Sequence, residues 1–143
     1  MLALVLAVSS RRSSVFVTVL LADAAADGIA GALKSAFGEQ RPPLRYAEPH
    51  PLVSVPHDGS FPSGHTTTSF ACATVLSGFV PRAAPGFYLF ALAIGFSRIY
   101  VGVHWPFDVL GGIVFGVAIG GAVTALRRRG ATPRRSARRR RRG

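Results

Sequence analysis

The 143-residue sequence has one cysteine, one methionine, one tryptophan and only six acidic residues. Cys72 alone cannot form an internal disulfide or a cysteine-based zinc site. Against 17 basic residues the shortage of acid leaves a formal net charge of +11. On a small domain that balance suggests nucleic acid or an acidic surface as partner. Its distribution removes the first reading. Residues 127–143 hold ten arginines and no acid, while the rest of the chain carries seven basic and six acidic groups. The part before the tail is nearly neutral, which excludes a compact basic nucleic-acid-binding domain. Residues 1–9 do not read as a secretory leader either. They are apolar, but no basic residue precedes them and Arg11 and Arg12 follow, the reverse of a signal peptide.

What the sequence does have is apolar length. Hydrophobic residues make up 49% of it, and residues 14–33, 64–80, 86–103 and 107–126 are each long enough for a spanning helix, which takes roughly 17–25 residues. Asp23 and Asp27 interrupt the first stretch, Arg98 the third and Asp108 the fourth. The last reads FDVLGGIVFGVAIGGAVTAL and lacks the polar face at a 3.6-residue period that a water-soluble bundle carries. It is rich instead in glycine and alanine, which let helices approach closely in lipid. The pattern predicts an all-α, polytopic transmembrane helix bundle of about four full spans, with residues 1–9 as the end of a partial helix. Residues 1–126 form the membrane-embedded domain and residues 127–143 a disordered, Arg-rich tail.

Cytoplasmic ends of spans carry the excess of Lys and Arg. Arg11 and Arg12, Arg82 and the tail fall at alternate ends of successive spans, so they share one side, the cytoplasmic one. Lys34, Arg41, Arg45 and Arg98 fall on the other side, where Glu39, Glu48, Asp58 and Asp108 balance them. Positive charge without net excess points to a site rather than to a topology signal. Between the first two spans, residues 38–60 contain five prolines and cannot form one regular helix. A loop of that length is usually functional or disordered.

Three clusters meet at this outer face. Lys34 ends the first span, with Arg41 and Pro42 following; Pro62-Ser63-Gly64-His65 opens the second; Ser97-Arg98 and His104 to Asp108 join the last two. Each has a plain structural explanation: a snorkelling lysine, a serine cap, an aspartate at a helix N-terminus. Together they place two histidines, three cations and a carboxylate at one depth, and ionisable groups inside spans default to function. The combination suits phosphoryl transfer. Lys34, Arg41 and Arg98 can neutralise a phosphate, Ser63 can add a hydroxyl, and the helix opening at Gly64 offers free N–H groups and allows close approach. Asp108, four residues after His104, can hold one ring nitrogen and leave the other as nucleophile. His65 can protonate the leaving oxygen.

These clusters match the KxxxxxxRP, PSGH and SRxxxxxHxxxD motifs, and from Lys34 to Asp108 the chain resembles the type 2 phosphatidic acid phosphatase family, which shares its site with vanadium haloperoxidases. The resemblance implies a metal-independent phosphatase, without cofactor, working through a phosphohistidine on His104, with Asp108 orienting it and His65 as general acid. Lys34, Arg41, Ser63, Gly64 and Arg98 make the phosphate cradle. It implies lipid phosphate or diphosphate substrates, undecaprenyl diphosphate among them, hydrolysed on the extracytoplasmic side of a bacterial plasma membrane. Phosphatidylglycerophosphate, phosphatidate and a prenylphosphoryl pentose phosphate present the same headgroup chemistry. A vanadate-dependent haloperoxidase and an inactive membrane protein whose working part is the basic tail are the other readings. Membrane members of the family have six spans, so two are missing ahead of the first motif: this is either a minimal form or a chain that begins inside a longer one.

Outside the motifs, His57 and Asp58 precede the PSGH cluster and are placed to assist with protons or substrate, but a surface turn, with Asp58-Gly59 as its signal, is the simpler reading. Asp23 and Asp27 are expected to face the bundle interior or pair with Lys34, one to two turns below the motif face, so no metal site is expected. Trp105 and Tyr100 fit an interfacial aromatic belt. The tail fixes topology and attracts anionic lipids; without aromatics among its arginines, no nucleic-acid partner is expected.

Overall fold

A computed structural model describes residues 13–46 and 50–130. Expectations for residues 1–9, for Arg11 and Arg12 and for residues 131–143 of the tail lie outside the described residues. The described chain forms four long helices and two short turns: α1 (Ser13–Phe37), α2 (Pro42–Arg45), α3 (Gly64–Phe79), a 3₁₀ turn (Pro81–Ala83), α4 (Ala84–Tyr100) and α5 (Pro106–Gly130). Each long helix falls on one of the four apolar stretches. α5 runs four residues past the stretch and takes Arg127, Arg128 and Arg129 into its last turn. Arginine is a good helix former, and basic groups are favoured at the negative end of the helix dipole.

The segments Ser13–Arg45, Pro81–Tyr100 and Pro106–Gly130 are long and apolar enough to cross a membrane. Helix α3 is different. Its 16 residues reach about 24 Å at 1.5 Å per residue, short of a hydrocarbon core of about 30 Å. It occupies the middle of the bundle and packs against α1, α4 and α5. Ala71 and Val75 meet Ala22 and Ala26 of α1, and Phe70 and Ala73 meet Ala91 of α4. Outward positions such as Leu89, Phe90, Phe96, Phe107 and Val114 are large, apolar and mostly exposed, as suits surfaces facing lipid.

Closest of all is the approach of α3 and α5. A Cβ on Gly116 would lie 2.5 Å from the Thr67 carbonyl oxygen, and one on Gly120 would lie 2.6 Å from that of Ala71. Real Cβ atoms do not sit there, so the glycines are what lets the two backbones pack. Hydroxyls in the same region close on their own helix: Thr67 Oγ1 donates to Ser63 O at 2.9 Å, Thr74 to Phe70 O at 2.8 Å and Thr124 to Gly120 O at 2.8 Å. These i−4 bonds satisfy polar groups that apolar surroundings leave without water.

The chain reverses direction at each connection. Arg82 sits in the turn after α3, and Arg127 lies 4.0 Å over the ring of Phe79 at the end of α3. Those arginines share one end of the bundle. Lys34, the start of α3, Arg98 and His104 are at the other.

The glycine contacts can be tested directly. Gly116→Ala should cost about 1–3 kcal/mol through overpacking against backbone that cannot move aside. Gly121→Ala, with nothing within 4 Å of the added Cβ, should be neutral or slightly stabilising. Thermal unfolding of the two variants in detergent checks the contrast.

Candidate active site

The first cluster is built by the end of α1. Gly38, at φ +58°, closes the helix by donating its N–H to Lys34 O at 3.0 Å. Arg41 precedes Pro42 and is extended (φ −69°, ψ 153°), as a residue before proline prefers. Its side chain turns inward and is only 1% exposed. A buried guanidinium needs acceptors for its N–H groups, and here they come from two loops. Nε donates to Asp58 O at 3.2 Å, Nη1 to Val103 O at 2.9 Å, and Nη2 to Asp58 Oδ1 at 2.7 Å and Gly59 O at 3.4 Å. Nη1 also lies 3.1 Å from His104 Nε2.

The second cluster is fixed by aromatic packing. Phe61 sits edge-on between Phe37 and Phe115, and its ring lies where Gly111 has no side chain. Ser63 precedes α3, but its hydroxyl does not cap the helix. Ser63 Oγ accepts from Thr66 Oγ1 at 3.0 Å, and its backbone N–H donates to Asp108 O at 3.0 Å. That bond ties the start of α3 to the start of α5.

The third cluster turns at Gly102, φ +78°. His104 lies two residues before α5 rather than on it, and the Asp108 carboxylate reaches back to meet it. Asp108 Oδ2 takes His104 Nδ1 at 3.1 Å, the Trp105 N–H at 2.8 Å and Ser60 Oγ at 2.5 Å. Accepting from the residue just before the helix is the carboxylate half of a capping box, so the structural and the functional explanations of Asp108 both hold. The contacts also set the histidine tautomer. Arginine can only donate, so Nε2 beside Arg41 is the acceptor and the neutral ring carries its proton on Nδ1, facing Asp108.

Lys34, Arg41, Gly64, His65, Arg98 and His104 share a cavity of about 670 Å³. Asp108 and Ser63 do not line it; both are fully buried behind it. Six of the eight expected site residues thus face one space, Asp108 supports one of them, and the Ser63 hydroxyl is turned to Thr66. Arg98 Nε is held by Ser97 Oγ at 3.1 Å.

The sequence model of the PAP2 superfamily matches residues 15–130. The chain belongs to the PAP2 superfamily. It is 41% identical over 85 residues to undecaprenyl-diphosphatase BcrC of Bacillus subtilis, a match covering 54% of this chain and 44% of that protein. The chain therefore spans less than half the length of this relative. Among solved structures, Aquifex aeolicus LpxE superposes with a TM-score of 0.70 at 33% identity, covering 80% of this chain and 69% of that one. A transmembrane PAP2-type phosphatidylglycerolphosphate phosphatase from Bacillus subtilis gives 0.65 at 27% identity, covering 83% and 61%. These PAP2 neighbours and the apolar helices identify a membrane protein.

Two expectations need correction within the PAP2 site. Asp23 and Asp27 do not pair with Lys34: both line the same cavity as the motif residues, and Asp23 Oδ1 accepts from Cys72 Sγ of α3 at 3.9 Å. The partner of Lys34 is Asp58, with Nζ 2.5 Å from Oδ2. Asp58 is not a bystander in a surface turn, because its second oxygen holds Arg41. Burial raises the Asp58 pKa, but hydrogen bonds and charge from Lys34 and Arg41 outweigh it and hold the carboxyl at about 2. Ser60, which the motifs do not contain, is fully buried and bonded to Asp108. One signal in the sequence pointed to Asp58: it is one of the few acids on a face carrying four cations. Nothing comparable marks Ser60. The Trp105 indole N–H donates to Gln40 O at 3.0 Å, which ties it to the loop after α1.

Arg41→Lys keeps the charge but gives up the fork, leaving carbonyls of Asp58, Gly59 and Val103 short of donors. The expected loss is about 2–3 kcal/mol of stability, checked by thermal unfolding in detergent.

Proposed function

We propose that the chain is an integral membrane lipid-phosphate phosphatase acting through a phosphohistidine intermediate. The observation that carries this reading is the His104 ring. Its Nδ1 is engaged by a buried carboxylate, and its Nε2 lone pair points at a cationic group beside the cavity. A neutral imidazole held this way is a nucleophile aimed at a site where phosphate charge is neutralised.

In the first step His104 Nε2 attacks phosphorus and the bond from phosphorus to the leaving oxygen breaks. His65 delivers a proton to that oxygen. Asp108 stabilises the positive charge that the attacking ring acquires. Lys34, Arg41, Arg98 and the N–H groups at the start of α3 near Gly64 bind the phosphoryl oxygens; Ser63 contributes its backbone position. In the second step water, deprotonated by His65, displaces His104 from phosphorus and phosphate is released. The groups named supply every proton and charge in both steps.

The substrate is a lipid phosphate or diphosphate, undecaprenyl diphosphate being the leading candidate because of BcrC. Phosphatidylglycerophosphate, the substrate class named for one structural neighbour, phosphatidate and a prenylphosphoryl pentose phosphate are alternatives. Residues 1–126 are the phosphatase domain. The site faces the extracytoplasmic side of a bacterial plasma membrane, with Arg82 and the basic tail cytoplasmic and the tail drawn to anionic lipids.

The test is phosphate release from these four lipids in detergent containing EDTA. The wild type should turn over at least one of them and be inhibited by vanadate, while His104→Ala should be inactive. Burial and the neighbouring Arg41 lower the His104 pKa below its ordinary 6.5, although Asp108 opposes them. The reactive form is neutral, so kcat/KM should rise through an acid limb lying below 6.5. Metal dependence, an active His104→Ala or an acid limb above neutrality contradicts the mechanism.

A further inference from the structure

The Arg41 guanidinium has five N–H donors, and five acceptors surround it: Asp58 O, Asp58 Oδ1, Gly59 O, Val103 O and His104 Nε2. Four are main-chain or carboxylate oxygens, and exchanging any of them for phosphate dismantles the site. The fifth is different. A phosphoryl group that bonds to Nε2 uses up its lone pair and brings its own oxygens to the same place, so the Nη1 donor passes from the ring to the substrate. Arg41 thus offers phosphate one aimed donor rather than a free fork. Lys34 has three donors and spends one on Asp58 Oδ2, which leaves two for the cavity it lines.

Both cations are held by one carboxylate, an oxygen to each. We propose that Asp58 is a positioning residue for phosphoryl transfer: it aims Lys34 and Arg41 before substrate arrives and offsets one of the three cradle charges. This rests on the phosphatase reading. Long cationic side chains lose rotamer freedom when they are fixed. Meeting that cost in the empty site leaves the donors organised for the transition state. Of the three carboxylates that line the cavity with Lys34, Arg41 and Arg98, Asp58 is the one bonded to two of these cations.

The loop does not depend on Asp58 for its place. Ser60 N donates to Glu39 O at 2.8 Å, Ser60 Oγ bonds Asp108, and Phe61 is packed between two phenylalanines. Gly59 lies so close to the end of α1 that a Cβ there would be 2.6 Å from Lys34 O. The Asp58 side chain itself is half exposed. Asp58→Asn, nearly identical in shape, should therefore fold and lose only the charge and the aim.

The experiment uses the full chain in detergent with EDTA, the lipid that the wild type turns over best, and orthovanadate as inhibitor. Asp58→Asn should lower kcat about tenfold with KM changed less than about threefold, and should weaken vanadate inhibition about tenfold. Asp58→Glu, which restores the charge, should recover much of both. If vanadate inhibits Asp58→Asn as well as or better than it inhibits the wild type, Asp58 is idle or a competitor for the phosphate site, and the proposal falls. It falls also if Asp58→Asn does not fold, which makes the ion pair structural, or if Asp58→Glu rescues nothing. A wild type without turnover overturns the phosphatase reading and this proposal with it; an active wild type with an unaltered Asp58→Asn overturns this proposal alone.

Discussion

The close approach of α3 and α5 is the constraint on which the rest of the molecule depends. Glycines 112, 116 and 120 remove the side chains that would hold the two backbones apart. Because they pack so closely, the N–H of Ser63 reaches the carbonyl of Asp108. That single bond places the first turn of α3, with its free N–H groups, beside the histidine that Asp108 holds. Pull the helices apart and the start of α3 and His104 no longer share a cavity. The short length of α3 fits the same picture, since an element surrounded by other helices has no need to match the thickness of a bilayer by itself.

Charge inside such a bundle is costly, and the site manages it by pairing. Arg41 is buried because five acceptors surround it. Asp108 is buried because three donors converge on one of its oxygens, although its other oxygen has no hydrogen-bond partner among the described residues. Asp58, at the rim, neutralises part of two cations. The result is a cavity walled by three cations and three carboxylates, with the His104 imidazole at its edge and Asp108 behind it.

Much of this was legible in the residue order. Each of the four apolar stretches became a long helix with ends shifted by up to four residues, because a mainly apolar run with close-packing residues has few other options in lipid. The three motif clusters converged because antiparallel helices with short connections bring alternate ends together. The misses share a cause. Asp58 and Ser60 lie in an aperiodic, proline-rich loop, where no repeat betrays which way a side chain points, and their partners are 17 to 48 residues away. Asp23 and Asp27 face the cavity but do not pair with Lys34, whose partner comes from the loop instead. The contact in which Ser63 Oγ accepts from Thr66 Oγ1 is likewise not announced by the motif.

The central claim is that His104 carries the phosphoryl group in transit. It is tested most directly by mixing the purified protein with a turned-over lipid phosphate, quenching in alkali during the first turnovers, and mapping the adduct by mass spectrometry. The account predicts phosphate on His104, absent from protein in which Asn replaces that histidine. Turnover with no adduct on any histidine, or with phosphate on another residue, contradicts it.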